Sequence, residues 1–220
     1  MSDDRQIALI EVNISEKQKA RIKALNDQMP KEGYNKRTFM RGKGGLYGAA
    51  GEIIVLEELG GRHKPSWDYD IVVKSVEDLR FCHAGRYAED KRNYKTLLTP
   101  KKRNVVTIEV KSKKVLSPPK MEYANSVARF SAHQDCTHYV FVRVLEDLTK
   151  AWICGACTPQ WFYKNAKFHA KGDYDATNNF TFRADCFNVS IGTTLDEEGV
   201  QNSGNPPFSE KAFLREVWVS

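Results

Sequence analysis

The segment that constrains the fold most is "THYVFVRVL" at residues 137–145. It is an almost unbroken run of β-branched, aromatic and aliphatic residues, which is typical of a strand buried on both faces. Such a strand needs a covering layer on each side of its sheet. The sequence therefore predicts an α/β fold in which this strand lies in the core.

Segments on either side of this strand predict the rest of an α/β sandwich. The strongest helical segment is 43–61, where a run of Gly and Ala would let the helix approach a sheet closely. A second helix is predicted over 119–134 from its apolar spacing after a Pro-Pro entry. Further predictions are strands at 7–14, 69–76, 104–113 and 150–156, a helix at 16–29 capped by Ser15, a short helix or turn at 159–168, a hairpin at 179–191, a loop at 196–207 and a helix at 209–218.

Charged residues interrupt the apolar pattern of the predicted strand at 104–113. Glu109 and Lys111 lie two positions apart in "VVTIEVKSKK", and alternation along a strand places such residues on the same face. A carboxylate and an ammonium side by side on a core strand indicate either a solvated strand edge or part of an active site.

Two more carboxylates accompany this pair, Glu52 on the long helix and Asp70 at the start of a strand. Phosphodiester hydrolysis uses a divalent metal ion to neutralise charge, and Mg²⁺ needs only one or two protein carboxylates besides water. Asp70 and Glu109 could supply these, with the backbone carbonyl of Val110 as a further oxygen ligand. Glu52 could reach the same ion, or a second one, from the helix. Lys111 would then lie beside the attacking water and stabilise developing charge.

Together these residues resemble the PD-(D/E)xK nuclease superfamily, also called restriction-endonuclease-like. The resemblance covers roughly residues 44–145 and rests on "GE" in a helix, "YDIVV" with its leading Asp, and "IEVKSK". It implies an αβββαβ core with a central mixed sheet flanked by helices, and hydrolysis of DNA that depends on Mg²⁺, for which Mn²⁺ can substitute. The catalytic and metal-binding residues that it implies are Asp70, Glu109, Lys111 and Glu52.

The resemblance also sets the domain organisation. The chain is interpreted as one nuclease-like domain over 1–220, with a core at about 44–168, an insertion at about 77–103 and an extension at about 170–220. The insertion lacks clear periodicity and separates two strands that must pair if the assignment is right.

The first Asp of the motif has two candidates. Asp68 lies two residues before Asp70 and would face the same side of the strand, but Asp70 directly precedes "IVV" and is favoured. Tyr69 stands where the motif has Pro.

The implied function is a metal-dependent DNA endonuclease, with restriction-like, junction-resolving and repair types all open. Its partner would be double-stranded or branched DNA, and because many members of the superfamily are dimers, a homodimer is possible. The alternative is a non-catalytic nucleic-acid-binding or interaction protein that retains the fold. The complete set of Asp70, Glu109 and Lys111 favours the enzyme.

Basic residues cluster beside the carboxylate stretches, in a chain of net charge +6 and pI near 9.0. Such clusters indicate contacts with backbone phosphates. The predicted nucleic-acid-binding residues are Lys36, Arg37, Arg41, Lys43, Lys91, Arg92, Lys101, Lys102, Arg103 and Lys113.

Four polar residues in the predicted helix at 119–134 could assist the site, although ordinary helix surface is the favoured interpretation of each. They are Tyr123, Asn125, Ser126 and Gln134.

Cys154 and Cys157 form a CxxC without the second ligand pair that a structural zinc ion normally needs. They are interpreted as small core residues, with a redox-active or metal-binding pair as the alternative. The odd total of five cysteines argues against a disulfide framework. The chain has no apolar run of membrane-spanning length and no signal-peptide order at its start, which predicts an intracellular protein, cytoplasmic or nucleoid-associated.

Overall fold

The computed structural model describes residues 9–28, 45–64, 66, 68–73, 106–176 and 180–195. In these ranges the chain forms an α/β fold around a six-stranded sheet. The helices are α1 (Glu16–Gln28), α2 (Gly45–Leu59), α3 (Pro159–Asn165) and α4 (Ile191–Leu195). The strands are β1 (Ile10–Asn13), β2 (Arg62–His63), β3 (Ile71–Val73), β4 (Val106–Val115), β5 (Ala124–Ala128), β6 (His138–Leu145), β7 (Lys150–Cys157), β8 (Lys167–His169), β9 (Tyr174–Asp175), β10 (Phe180–Thr181) and β11 (Cys186–Ser190).

The central sheet is mixed and has the order β1-β7-β6-β4-β3-β2. The β4–β6 pair is parallel, and the other neighbouring pairs are antiparallel. All six residues from Tyr139 to Val144 in β6 are buried, as the apolar run at 137–145 predicts. A parallel pair in the middle of the sheet needs cover on both faces, and the two faces are covered by different layers.

Helix α2 covers one face, and α1 packs against α2. Ser15 begins α1 with a capping box, because its Oγ accepts from the Gln18 N–H at 3.3 Å and its own N–H donates to Gln18 Oε1 at 2.7 Å. In α2 the predicted close approach to the sheet occurs at Gly51, where an added Cβ would lie 1.8 Å from Ser112 Oγ and 3.2 Å from Val110 Cγ1. The backbone of α2 at Gly51 therefore lies in close contact with side chains of β4.

Replacing Gly51 with Ala is expected to destabilise the fold by about 1–3 kcal/mol, because the new methyl group overpacks the α2–β4 contact. Gly48→Ala in the same helix is the matched control, since an added Cβ there meets nothing within 4 Å among the described residues. The control should be neutral or more stable by up to about 1 kcal/mol, as expected for Gly to Ala in a helix. Chemical denaturation followed by circular dichroism measures both variants, and equal stabilities would contradict the close packing.

The other face of the central sheet carries a second, three-stranded layer. Strands β5, β11 and β8 form this antiparallel sheet, and the short helices α3 and α4 lie between the layers. Phe162 of α3 packs against Tyr139 and Phe141 of β6 with ring centroids 5.8 and 5.5 Å apart. Aromatic packing thus joins the two layers.

The predicted helix at 119–134 is wrong, so the described residues lack the second helix of the expected αβββαβ core. Residues 124–128 form β5, followed by a short 3-10 helix at Arg129–Ser131. Asn125 and Val127 are buried while their neighbours are partly exposed, so this segment follows the strand period of two. Its apolar residues also satisfy helical spacing, and pairing along all five residues with β11 decides the outcome.

The predicted hairpin at 179–191 is also wrong, although both of its strands exist. Phe180–Thr181 pairs with Tyr174–Asp175, whereas Cys186–Ser190 pairs with β5 and β8. The predicted insertion at 77–103, the loop at 196–207 and the helix at 209–218 lie outside the described residues. No helix in the described ranges is both long and apolar enough to cross a membrane.

Candidate active site

Asp70 lies where β3 begins beside β4. Strand β3 pairs directly with β4, which carries Glu109. Asp70 immediately precedes β3 and therefore lies next to β4. The Asp70 N–H donates to the Ile108 carbonyl at 2.9 Å. Its carboxylate Oδ2 accepts from the Val110 N–H at 2.8 Å. The backbone of β4 therefore holds Asp70 at the residue that lies between Glu109 and Lys111.

Glu109, Lys111 and Gln134 form a closed set of hydrogen bonds. Lys111 Nζ donates to Glu109 Oε1 and to Gln134 Oε1, each at 2.8 Å. Gln134 Nε2 donates to the same Glu109 oxygen at 2.9 Å. Only 16% of the Lys111 side chain and 10% of the Glu109 side chain are exposed. Because each partner fixes the other two, the Lys111 ammonium has a defined position on this face of β4.

Gln134 contacts both Glu109 and Lys111, although ordinary helix surface was the favoured interpretation of this residue from the sequence. It follows the 3-10 helix after β5 rather than lying on a long helix, and this turn brings it back over β4. The other three polar residues of the segment do not contact Glu109 or Lys111. Asn125 is buried and donates to the Cys154 carbonyl at 3.1 Å, and Ser126 accepts from Lys113.

Glu52 reaches the same region from α2, and it is bound to a residue that the sequence analysis left unassigned. Its Oε2 lies 2.6 Å from His63 Nε2, and the Glu52 side chain is 11% exposed. His63 is brought there by the pairing of β2 with β3, in which it is the register partner of Ile71. No motif spacing marks His63, so only the strand pairing reveals it.

The three carboxylates influence one another. Burial raises the pKa of Asp70 well above its usual range, and the negative charges of Glu109 and Glu52 raise this pKa further. The Val110 N–H and the Lys111 ammonium act in the opposite direction and do not cancel the effect. The charged form of Asp70 is therefore destabilised, and a bound cation would relieve that cost.

The backbone of Val110 faces this group as well. In a β-strand the N–H and C=O of one residue point toward the same neighbouring strand. Since the Val110 N–H points to Asp70, the Val110 carbonyl lies on the same side of β4.

Within the described residues, no group of three or more His, Cys, Asp and Glu side chains is arranged to hold one metal ion. Glu52 is turned to His63 and Glu109 to Lys111, while Asp70 lies between them on Val110.

Asp68, the competing candidate for the first Asp of the motif, has a different partner. Its Oδ1 accepts from the Asp135 N–H at 3.2 Å. The Asp70 carboxylate, by comparison, accepts from the Val110 N–H of β4.

Lys113 is the one predicted nucleic-acid contact inside the described residues, and it lies two positions beyond Lys111 on the same face of β4. Its Nζ donates to Ser126 Oγ at 2.7 Å. The other predicted contacts, Lys36, Arg37, Arg41, Lys43, Lys91, Arg92, Lys101, Lys102 and Arg103, lie outside the described residues.

The cysteines of the CxxC are buried in β7, with 0% of Cys154 and 2% of Cys157 exposed. Burial raises the pKa of Cys154 to about 12 and raises the pKa of Cys157 as well. Both are therefore protonated thiols at neutral pH, as expected of small core residues.

Comparison of the chain with protein-family models, curated proteins and solved structures finds no match. The class to which the site belongs is therefore inferred from its residues and their geometry.

Proposed function

We propose that the protein is a metal-dependent DNA endonuclease with a site of the PD-(D/E)xK type. The observation that carries this proposal is the hydrogen bond from the Val110 N–H to Asp70 Oδ2. It sets the motif's first acid against the residue that separates its second acid, Glu109, from its lysine, Lys111.

The donor set fits a hard divalent cation such as Mg²⁺, with Mn²⁺ as a substitute. Asp70, Glu109 and the Val110 carbonyl would hold it, and Glu52 would contribute from α2 when it leaves His63. All four are oxygen donors, and none is a soft ligand. The bound ion would supply charge neutralisation at the scissile phosphate and activation of water.

The chain's own residues prepare the reaction around that ion. Glu109 and Gln134 hold the Lys111 ammonium in place, so little reorganisation is needed when negative charge develops on the phosphate. From there Lys111 would orient the attacking water and donate a hydrogen bond to a phosphate oxygen. His63 holds the Glu52 carboxylate in this structure and would have to release it for Glu52 to reach the ion.

The test is incubation of purified protein with supercoiled, linear, single-stranded and branched DNA, in Mg²⁺, in Mn²⁺ and with a chelator. We expect cleavage of double-stranded or branched DNA that requires the metal ion and stops with the chelator. Binding of DNA without cleavage under any of these conditions would favour a non-catalytic nucleic-acid-binding protein. Cleavage that survives the chelator would refute the proposal.

A further inference from the structure

Two cationic side chains lie side by side next to the candidate active site, two residues further along β4 than Lys111. Lys113 of β4 and Arg143 of β6 are register partners in the parallel pair, just as Glu109 is the partner of Tyr139. Register partners on adjacent strands face the same side of a sheet. Lys113 and Arg143 therefore share the face that carries Glu109 and Lys111.

Both cations converge on the same backbone oxygen. Arg143 Nη2 donates to the Ala124 carbonyl, and Lys113 Nζ donates to the same carbonyl at 3.4 Å and to Ser126 Oγ at 2.7 Å. Arg143 is only 5% exposed, whereas Lys113 is exposed to solvent. The pair thus has a buried member fixed by the fold and an accessible member at the surface.

No carboxylate balances this charge in the part of the chain that the structure describes. The ion pairs found there involve neither Lys113 nor Arg143. A buried charge without a counter-charge is costly, so such cations are usually paired. The ammonium and the guanidinium donate to the same carbonyl oxygen, so their like charges repel each other. An anion bound here would remove this repulsion.

We propose that Lys113 and Arg143, with the Ser126 hydroxyl as a further donor, bind an oxyanion and that this oxyanion is a phosphate of the nucleic-acid backbone. Lys113 lies two residues along β4 from Lys111, which corresponds to about 6.6 Å. This separation is comparable to that between consecutive phosphates of one strand. The site would thus hold the phosphate next to the scissile one, and this placement rests on the function proposed above.

The first test needs no metal ion and no cleavage. Titration of the protein with inorganic phosphate, followed by NMR or calorimetry, should show saturable binding that is at least about 10-fold weaker in Lys113→Ala. Lys114→Ala is the matched control, because it removes the same charge from the next residue of β4, which faces the other side and is ion-paired with Glu146. It should bind phosphate as the wild type does. Equal binding by Lys113→Ala and the wild type, or no saturable binding by either, would overturn the proposal.

Arg143→Met tests the buried member of the pair and should weaken phosphate binding by a similar factor. If this variant does not fold, Lys113→Ala still decides the question, since Lys113 is exposed.

A second test separates this site from the candidate active site. With a short DNA duplex in the absence of metal, Lys113→Ala should lower the salt dependence of binding by about one counterion, and Lys114→Ala should leave it unchanged. Phosphate binding that depends on Lys113 in a protein that cuts no DNA would uphold the oxyanion site and refute the nuclease. Metal-dependent cleavage with an unchanged salt dependence in Lys113→Ala would uphold the nuclease and refute the oxyanion site.

Discussion

Replacing Lys111 with Ala is expected to lower the rate of metal-dependent DNA cleavage by about 10³-fold. The ammonium is held by Glu109 and Gln134 at the place where charge develops on the phosphate, and alanine removes it altogether. Single-turnover cleavage of a supercoiled plasmid measures the effect. Binding of the same DNA should change far less, because Lys111 is one of many basic residues in the chain.

The loss of Lys111 also affects stability, so the two effects must be separated. Lys111→Ala leaves the buried Glu109 carboxylate without its cation, and breaking a buried ion pair costs about 3–5 kcal/mol. Circular dichroism of Lys111→Ala, and of Lys111→Met, which keeps most of the side-chain volume, shows whether a loss of cleavage is accompanied by a loss of folding. Lys114→Ala is the control for charge and should retain cleavage. Near-normal cleavage by a folded Lys111→Ala or Lys111→Met protein would contradict the role of Lys111.

The second large effect is expected for Asp70→Asn, which should lower cleavage by about 10³-fold or more while raising thermal stability at neutral pH. The amide keeps an oxygen that can accept from the Val110 N–H, but it lacks the charge that a cation needs. It also relieves the electrostatic cost that burial, Glu109 and Glu52 impose on the aspartate. The variant would therefore be more stable and less active than the wild type.

The pH dependence of this stability difference has a definite sign. The pKa of Asp70 is raised in the folded state, so its ionisation opposes folding. The cost begins as pH rises above the unfolded pKa, and it is complete above the folded pKa. The stability advantage of Asp70→Asn should thus be smallest in acid and grow toward neutral pH, as measured by thermal denaturation across this range. An advantage that shrinks as pH rises would contradict the clustering of carboxylates.

Asp68→Asn is the matched control for Asp70→Asn, because it makes the same change two residues earlier in the chain. Asp68 accepts from the Asp135 N–H. The control should retain cleavage within about 10-fold of the wild type, since Asp68 is not part of the proposed metal-binding set. A larger loss of cleavage in Asp68→Asn than in Asp70→Asn would indicate that Asp68, and not Asp70, is the first acid of the motif.

The elements that the sequence predicts well are those whose local pattern and final environment agree. The apolar run of β6 is buried along its interior, and the Gly-Ala run of α2 packs closely on the sheet at Gly51. The segment at 124–128 fails because its apolar residues fit both a helix and a strand. Its pairing with β11, far along the chain, selects the strand.

In the candidate site, too, some features follow from local sequence patterns and others from long-range pairing. Glu109 and Lys111 share a face because of strand alternation alone, which the sequence reveals directly. That Asp70 lies beside them depends on the pairing of β3 with β4 across a long intervening segment. A turn brings Gln134 to Glu109, and the two-residue strand β2 brings His63 to Glu52. Neither residue belongs to a recognisable spacing in the sequence. Long-range pairing is thus the information that local patterns lack.

The central claim is that Asp70 and Glu109 hold one divalent cation, and calorimetric titration with Mn²⁺ tests it most directly. The wild type should bind Mn²⁺ at one site, or at two if Glu52 holds a second ion. Asp70→Asn and Glu109→Gln should each lose the Asp70–Glu109 site, with affinity reduced by at least about 10-fold. Asp68→Asn should bind Mn²⁺ as the wild type does. A folded wild-type protein that binds no Mn²⁺, or binding that is unchanged in Asp70→Asn, would contradict the account.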